Sequence, residues 1–356
     1  MYKRIIVKIG SGVISKEGQL DARMVKDIAG QIISLNKNGV EIVLITSGAV
    51  ATGREMLALN DKTDGIVQKQ IFASVGQVKL MSLYSELFGK SGYNCAQVLV
   101  TKEDFRDRQH YLNMKNCFEN LLRDNVVPVV NENDVIAITE LIFTDNDELA
   151  GLIASQINAD AVFLLTSVDG VLNGDPDSAE SKVIPEIDFA KSSLFEKYIT
   201  SGKSATGRGG MHTKFNIAKK LAKQGIATHI ANGKKQNVII DLAEGKPFGT
   251  KFIPDRKVSA TKRRLAYSEG LSKGVIYINK CAEDILRSKK VISLLPVGIV
   301  RVEGEFEKGD VIEIRNEAKY KLGFGIAQYD STKARDSMGK KKIRALIHCD
   351  YMFIEV

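Results

Sequence analysis

The chain has 356 residues, of which 44% are apolar and 26% are charged, and its formal net charge is +8. These values are ordinary for a globular protein, and the length predicts about two domains. No apolar stretch approaches the roughly 18 to 20 residues that a membrane-spanning helix requires, so the sequence argues against an integral membrane protein.

The four cysteines and the N-terminal segment indicate a reducing environment. Cys95, Cys117, Cys281 and Cys349 show no paired spacing, which argues against a zinc site and against a disulfide framework. Residues 1–8 form a short strand-like run without the long apolar region and small-residue cleavage site of a signal peptide. We therefore expect a cytoplasmic protein.

The first 255 residues alternate short β-branched apolar runs with longer segments of helical periodicity. This alternation predicts an α/β/α sandwich with a mostly parallel sheet. In chain order, strands are predicted at residues 4–8, 41–46, 95–100, 126–130, 161–166 and 227–231. Helices are predicted at residues 22–37, 66–88, 114–123, 148–157 and 213–224.

The C-terminal hundred residues differ in charge and in pattern. From Lys257 onward the net charge is +7, whereas the first 256 residues carry only +1. Residues 255–264 are polar and basic, and short apolar strands separated by glycine follow at residues 274–278, 298–302 and 310–314. We therefore predict a first domain at residues 1–255, a linker at 256–272 and a small β-rich, barrel-like domain at 273–356.

Two glycine-containing turns follow predicted strands near the N-terminus. In Val-Lys-Ile-Gly-Ser-Gly at residues 7–12, Lys8 stands at the end of a strand and Gly10 and Ser11 follow it. In Thr-Ser-Gly-Ala at residues 46–49, a strand turns through Ser47 and Gly48 into a helix. Both patterns fit anion binding by backbone N–H groups, but a tight turn and an ordinary helix cap explain them as well.

Polar clusters interrupt the pattern at two further places. Asn-Glu-Asn-Asp at residues 131–134 ends an apolar strand, and ligands of open α/β sheets bind at such ends. Thr-Asp-Asn-Asp-Glu at residues 144–148 begins a helix. There Asp145 is either a helix cap or a carboxylate that fixes two lysines.

A glycine-rich turn at residues 207–214, Gly-Arg-Gly-Gly-Met-His-Thr-Lys, opens the last helix of the first domain. A nucleoside triphosphate fits such a turn, although the spacing is not that of a Walker loop.

The order of these motifs resembles the amino-acid kinase family, in particular the members that phosphorylate free glutamate, and the C-terminal region resembles the PUA domain. The resemblance runs from Lys3 to about Phe252 and rests on Val-Lys-Ile-Gly-Ser, Thr-Ser-Gly-Ala, Asn-Glu-Asn-Asp, Asp-Asn-Asp and Gly-Gly-Met-His-Thr-Lys. For the PUA domain it rests on residues 293–298 and 304–310. It implies the amino-acid kinase fold.

The resemblance also implies roles for individual residues. Lys8 and Lys214 would neutralise the transferring phosphoryl group, and Asp147 would organise the two lysines. The residues expected to hold glutamate are Ser47, Asp134, Asn146, Asn131 and Asn133. The residues expected to bind ATP are Lys8, Gly10, Ser11, Thr166, Ser167, Arg208, Gly209, Gly210, Met211, His212, Thr213 and Lys214. No metal ligand is expected from the protein, since Mg2+ would be held mainly by the ATP phosphates.

Two positions depart from the family pattern. Many relatives have Asp where this chain has Ser167, and some carry a basic residue and a glycine where this chain has Ile-Phe-Thr at residues 142–144. A nucleotide contact and an auxiliary positive charge are therefore in question.

The activity implied is transfer of the γ-phosphoryl group of ATP to the γ-carboxylate of L-glutamate, giving L-glutamyl 5-phosphate in the first step of proline biosynthesis. Proline is the expected feedback inhibitor, a dimer or tetramer is the expected assembly, and functional coupling to glutamyl phosphate reductase is expected. For the PUA domain a structural or regulatory role is favoured over RNA binding. The alternatives are a kinase for N-acetylglutamate, aspartate or a nucleoside monophosphate, and an RNA-binding protein.

Overall fold

The computed structural model describes residues 2–58, 64–137, 143, 145–174, 178, 180–189, 210–254, 265, 272–288 and 292–354. The chain divides into two compact units. One comprises Met1–Lys102 and Lys115–Lys257, and the other comprises Glu103–Met114 and Val258–Val356. No helix within these described ranges is long and apolar enough to cross a membrane.

The first unit alternates strands and helices, as the apolar periodicity predicts. Its strands are β1 (Arg4–Ile9), β2 (Ser15–Lys16), β3 (Gln19–Leu20), β4 (Glu41–Ile45), β5 (Asn94–Val100), β6 (Val126–Glu132), β7 (Ala161–Thr166), β8 (Glu186–Ile187), β9 (Ala227–Asn232) and β10 (Thr250–Phe252). The helices described between the N-terminus and β10 are α1 (Ser11–Ile14), α2 (Ala22–Lys37), α3 (Ala49–Met56), α4 (Gly65–Gly89), α5 (Lys102–Arg106), α6 (Arg108–Arg123), α7 (Asn146–Gln156), α8 (Met211–Ala222) and α9 (Val238–Ala243). Of these, most of α5 and the first part of α6 belong to the second unit.

Eight strands form one sheet in the order β5-β6-β4-β1-β7-β9-β10-β8. All neighbours are parallel except β9 and β10. Helices α2, α4 and α9 contribute to the apolar core on one face, and α7 and α8 pack together against strands of the sheet. The predicted α/β/α sandwich with a mostly parallel sheet is therefore confirmed.

The predicted elements agree with the structure most closely where the apolar pattern is strong. Helix α2 and strand β7 have the predicted bounds, whereas α6 begins at Arg108 rather than at residue 114. The first turns of α6 are polar, and the Asp107 carboxylate accepts a hydrogen bond from the His110 backbone N–H at 2.9 Å. A polar, side-chain-capped start of this kind gives no apolar signal in the sequence.

Helices α3 and α4 approach each other through glycines. A Cβ atom on Gly53 would lie 1.9 Å from the Phe72 carbonyl oxygen, and one on Gly76 would lie 1.8 Å from the Ala49 carbonyl oxygen. Real Cβ atoms do not come this close to backbone, so glycine is required at both positions. The two helices are therefore fixed relative to each other with little freedom to slide.

The second unit is built on a smaller sheet of five strands in the order β12-β11-β13-β14-β15. Its strands are β11 (Gly274–Ile278), β12 (Ile299–Gly304), β13 (Val311–Asn316), β14 (Lys321–Ile326) and β15 (Met352–Ile354), and its further helices are α10 (Lys280–Arg287) and α11 (Ser331–Ser337). A separate apolar core, including Ile276, Ile312 and Leu346, lies beneath the sheet. The predicted β-rich C-terminal domain is confirmed.

Candidate functional site

The candidate site lies at the carboxyl ends of the central strands. Strand β1 lies between β4 and β7, with Lys8 in register with Ile45 on one side and Leu164 on the other. Because the three strands are parallel, Lys8 and the residues that follow β4 and β7 share one edge of the sheet. The turns after β1 and β4, both of which fit anion binding, thus lie at the same edge.

Lys8 and Lys214 contact the same carboxylate. The Lys8 Nζ lies 2.5 Å from Asp147 Oδ1, and the Lys214 Nζ lies 2.9 Å from Asp147 Oδ2. Asp147 is fully buried, and each lysine is 6% exposed. Two residues 206 positions apart in the sequence are thereby held beside each other, as the sequence analysis expects.

The electrostatics of this cluster keep Asp147 ionised. Burial by itself would raise the pKa of the Asp147 carboxyl, but the two ammonium groups hold the pKa below its ordinary value. The neighbouring Asp145 behaves in the opposite way. Burial, followed by the charge of Asp147, raises the pKa of Asp145 to about 6.

Asp145 caps helix α7, which is the first of the two interpretations that the sequence allows for this residue. Its Oδ1 accepts hydrogen bonds from the backbone N–H groups of Asp147 and Glu148, at 2.9 and 3.1 Å. Its Oδ2 is buried and has no hydrogen-bond partner among the described residues. The carboxylate that fixes the two lysines is therefore that of Asp147, while Asp145 sets the start of the helix that carries it.

The turn after β1 packs against the end of β7. The Gly10 N–H donates to the Leu165 carbonyl at 2.9 Å, and a Cβ atom on Gly10 would lie 3.1 Å from that oxygen. A Cβ atom on Gly12 would lie 3.8 Å from Ser167 Oγ. The turn that contains Ser11 thus lies beside Thr166 and Ser167, which brings the first and the middle predicted nucleotide segments together.

Two helices that start at this site have a glycine at the N-cap position. Helix α3 has Gly48 and helix α8 has Gly210 at the N-cap, and neither has a side-chain cap bond. By contrast, α2 and α4 are capped by the carboxylates of Asp21 and Asp64. An N-terminus without a side-chain cap has first-turn N–H groups that can bind an anion.

The predicted nucleotide loop is described only from Gly210 onward, and Arg208 and Gly209 lie outside the described residues. Met211 and Thr213 are half-buried in the first turn of α8. His212 is exposed, and its Nδ1 lies 3.1 Å from the amide nitrogen of Asn216 on the same helix. Of this turn, only Lys214 reaches Asp147 in the described structure.

A network of amide side chains centres on Asn146. Its Nδ2 donates to the Thr46 carbonyl at 2.9 Å, to Ser47 Oγ at 3.2 Å and to Asn131 Oδ1 at 3.3 Å. Asn131 is buried and donates through Nδ2 to Gln77 Oε1 at 3.1 Å. The structure therefore groups three of the residues predicted to hold glutamate.

The other two predicted glutamate residues lie just beyond β6. This strand runs through Asn131 and Glu132, two residues further than predicted. The Asn133 backbone N–H donates to the Val100 carbonyl at 2.8 Å. The Asp134 carboxylate pairs with Lys69 of α4, with Nζ 2.5 Å from Oδ1.

Lys69 and Gln77 are residues of the site that the sequence analysis missed. Both lie on α4, and Gln77 is buried although it is polar. The one available signal was Gln77 directly after Gly76 within an otherwise apolar stretch, because a polar residue in a buried helix face requires a partner.

Of residues 142–144, where the sequence departs from the family pattern, the structure describes Phe143. The Phe143 side chain is buried, and its backbone N–H donates to Glu132 Oε1 at 2.7 Å. Ile142 and Thr144 lie outside the described residues. Ser167, the other departure, is exposed at the end of β7.

Comparison with known proteins identifies the families that two regions of the chain match. Residues 3–232 match the amino acid kinase family, and residues 274–348 match the PUA domain. The chain belongs to the amino acid kinase family.

Relatives in this family match the chain over almost its whole length. A protein of Bacteroides thetaiotaomicron named glutamate 5-kinase is 48% identical and covers 99% of each chain. A glutamate 5-kinase of Chlorobaculum tepidum is 47% identical over 99% of this chain and 98% of its own.

Among solved structures, the carbamate kinase of Giardia lamblia bound to AMP-PNP is similar with a TM-score of 0.53 and 19% identity, covering 71% of this chain and 99% of its own. At this identity the match supports the amino acid kinase fold alone.

Proposed function

We propose that the chain transfers the γ-phosphoryl group of ATP to the γ-carboxylate of L-glutamate, giving L-glutamyl 5-phosphate and ADP in the first step of proline biosynthesis. The observation that carries this proposal is the pair of lysines held on one buried carboxylate at the carboxyl edge of the sheet. The names of the near full-length relatives support the choice of glutamate.

In this reaction the protein has to position the two substrates and to offset the repulsion between their negative charges. A carboxylate is already ionised at neutral pH, so it attacks the γ-phosphorus without a general base. The difficulty is the repulsion between two anions. Lys8 and Lys214 offset it, because their ammonium groups face the moving phosphoryl group while Asp147 keeps them in place.

Glutamate would occupy the end of the site formed by β4, β6 and α7. Ser47, Asn131 and Asn146 already form one hydrogen-bonded group there, and such a group can exchange internal bonds for bonds to a bound amino acid. Asn133 and Asp134 continue from Asn131 along the same segment of chain.

ATP would occupy the end formed by β1, β7 and α8. The turn of residues 10–12, which contains Ser11, lies beside Thr166 and Ser167, and Lys8 precedes this turn near the end of β1. The N-terminus of α8, from Gly210 to Lys214, adds a second anion site. We propose that Arg208, Gly209, Met211, His212 and Thr213 complete the nucleotide segment.

Mg2+ would enter with the nucleotide and take most of its ligands from the phosphates. No metal ligand of the protein is expected from the sequence, but Asp145 fits a cation of this kind, because its Oδ2 is buried and has no hydrogen-bond partner among the described residues. When bound, the ion would neutralise phosphate charge.

The deciding experiment measures ATP-dependent acyl phosphate by trapping it with hydroxylamine. Incubation with L-glutamate should give hydroxamate and ADP in equal amounts. The same assay with N-acetylglutamate and aspartate, and an ADP assay with nucleoside monophosphates, tests the alternative substrates. Hydroxamate from one of these but not from glutamate would overturn the proposal.

Further properties are proposed together with this activity. We propose that proline inhibits the reaction, that the protein is a dimer or tetramer located in the cytoplasm, and that its unstable product is passed to glutamyl phosphate reductase. We also propose domain boundaries near residues 255 and 273. Adding proline to the hydroxamate assay tests the first of these directly.

A further inference from the structure

A further lysine–aspartate contact of the first unit joins Asp134, one of the residues expected to hold glutamate, to Lys69, which has no role in the phosphoryl transfer described above. It joins helix α4 to the segment after β6, with Lys69 Nζ 2.5 Å from Asp134 Oδ1. The Asp134 side chain is 11% exposed and that of Lys69 is 28% exposed. The pair is therefore shielded on most sides but still open to solvent.

Helix α4 meets this segment at three points. Besides the ion pair, Gln70 Nε2 donates to the Val135 carbonyl at 2.6 Å, and Gln77 Oε1 accepts from Asn131 Nδ2 at 3.1 Å. One edge of α4 thus runs along residues 131–135, three of which, Asn131, Asn133 and Asp134, belong to the proposed glutamate pocket.

The position of this edge is fixed from the other side of α4 as well. Gly76, next to Gln77, packs directly on the Ala49 carbonyl of α3. Helix α3 starts immediately after Ser47, whose hydroxyl accepts from Asn146. Lys69 is therefore held on the same framework as the residues proposed to bind glutamate.

The Lys69–Asp134 pair is complementary in charge to the head group of a free α-amino acid. The α-carbon of glutamate carries an ammonium and a carboxylate, and the protein offers one carboxylate and one ammonium side by side. We propose that Asp134 binds the α-ammonium group and Lys69 binds the α-carboxylate, so that the two residues select a free α-amino acid. This inference rests on the proposed function.

Lys69 and Asp134 can exchange each other for the charged groups of the substrate, so that their charges are neutralised with and without substrate. Without substrate the two side chains neutralise each other, and with substrate each is neutralised by the opposite group of the ligand. No unpaired charge is buried in either state, which avoids the large cost of an isolated charge. A ligand that lacks one of the two groups would leave one side chain without a partner.

A second observation points to a ligand at this edge. Gln77 is 7% exposed, and its Nε2 has no hydrogen-bond partner in the described structure. Buried amide donors are nearly always bonded in folded proteins. A bound carboxylate or other acceptor would satisfy this donor.

The test compares three acceptors in the hydroxamate assay: L-glutamate, L-isoglutamine and glutarate. L-Isoglutamine replaces the α-carboxylate by a neutral amide and keeps the side-chain carboxylate, and glutarate lacks the ammonium group. The unmodified protein should prefer L-glutamate over both in kcat/KM. Absence of a preference for L-glutamate over L-isoglutamine would overturn the assignment of Lys69.

Lys69→Met should raise the KM for L-glutamate by about 10- to 100-fold, the value of one charge-assisted contact, with kcat changed much less. The preference for L-glutamate over L-isoglutamine should fall by the same factor, while the preference over glutarate persists. Asp134→Asn should instead lose the preference for L-glutamate over glutarate and keep the preference over L-isoglutamine. Lys69→Arg should restore part of the preference over L-isoglutamine.

Lys79→Met is the matched control, because Lys79 lies on the same helix and is exposed. It should behave like the unmodified protein. If Lys69 only holds Asp134 in place, Lys69→Met would instead lose the preference over glutarate, and the inference would fail. Absence of any product from glutamate in the unmodified protein would reject the proposed function itself, which is a separate outcome.

Discussion

Two sets of lysine–aspartate contacts near the proposed site, Lys8 and Lys214 with Asp147 and Lys69 with Asp134, use the same residue types in different surroundings. Asp147 is fully buried between two lysines whose side chains are each 8% exposed, whereas Asp134 pairs with a lysine whose side chain is 28% exposed. Water cannot replace either partner in the first set, so the geometry is fixed before substrate arrives. The second set can exchange partners. We infer that burial distinguishes the proposed catalytic cluster from the proposed ligand-binding pair.

Removing the buried carboxylate should give the largest effect. In Asp147→Asn the two ammonium groups lose their shared counter-charge within a buried site, so we expect kcat to fall by about 1,000-fold or more. The free energy of unfolding should fall by about 3 to 5 kcal/mol, as when a buried ion pair loses one partner. Steady-state kinetics and urea unfolding measure the two effects.

Glu148→Gln is the control for that substitution. Glu148 is the next residue of α7 and pairs with Lys102 at 3.0 Å, with both side chains about one-fifth exposed. Its loss should cost little stability, in the manner of partly exposed pairs. Equal effects of the two substitutions would contradict the special role of burial at Asp147.

Removing one lysine from the buried cluster should separate rate from binding. We expect Lys8→Ala and Lys214→Ala to lower kcat by about 100- to 1,000-fold, because their charge matters most as the phosphoryl group moves. The KM for glutamate should change much less. The comparison with Lys69→Met is direct, since that substitution should raise KM and spare kcat. An unchanged kcat in both alanine variants would remove the proposed roles.

The sequence predicted the buried cluster better than the exchangeable pair. Lys8 lies near the end of a strand, and Asp147 and Lys214 lie in the first turns of helices, where a polar residue stands out against an apolar pattern. Lys69 and Gln77 lie inside a long helix, where a polar residue normally means a solvated face. Their partners are 65 and 54 residues further along the chain, at Asp134 and Asn131. Only the packing of α4 brings them together.

The fold was predictable for a related reason. Buried parallel strands such as β1 and β7 are continuous apolar runs and are visible in the sequence. The tight contact between α3 and α4 was not, because a glycine within a helix looks the same whether it faces solvent or another backbone. Gly30 and Gly76 illustrate this, since a Cβ atom would meet nothing within 4 Å at Gly30 but would clash at Gly76.

These two glycines therefore predict opposite responses to alanine. Gly76→Ala should lower the free energy of unfolding by about 1 to 3 kcal/mol through overpacking, and it should raise the KM for glutamate if α4 carries part of that pocket. Gly30→Ala should raise stability by about 0.5 to 1 kcal/mol, because alanine is the better helix former in open space. Urea unfolding of both variants checks the signs, and a stabilising Gly76→Ala would contradict the close approach of α3 and α4.

A buried histidine away from both lysine sets gives the last prediction. His229 is 3% exposed, its Nε2 lies 2.9 Å from the Tyr2 hydroxyl, and burial followed by the charge of Lys251 lowers its pKa to about 4. The unfolded chain takes up this proton near the ordinary pKa of about 6.5, so the unfolded state binds more protons between pH 6.5 and 4. Stability is therefore lost as the pH falls through that window.

At pH 5 the loss from His229 should be about 2 kcal/mol relative to pH 8. In His229→Gln this part of the pH dependence disappears, because glutamine does not titrate, while the carboxylates contribute equally in both proteins. The measurement is urea unfolding of the two proteins at several pH values. Two parallel curves would mean that His229 has the same pKa in the folded and unfolded protein, and that its surroundings are more polar than the apolar contact with Phe163 implies.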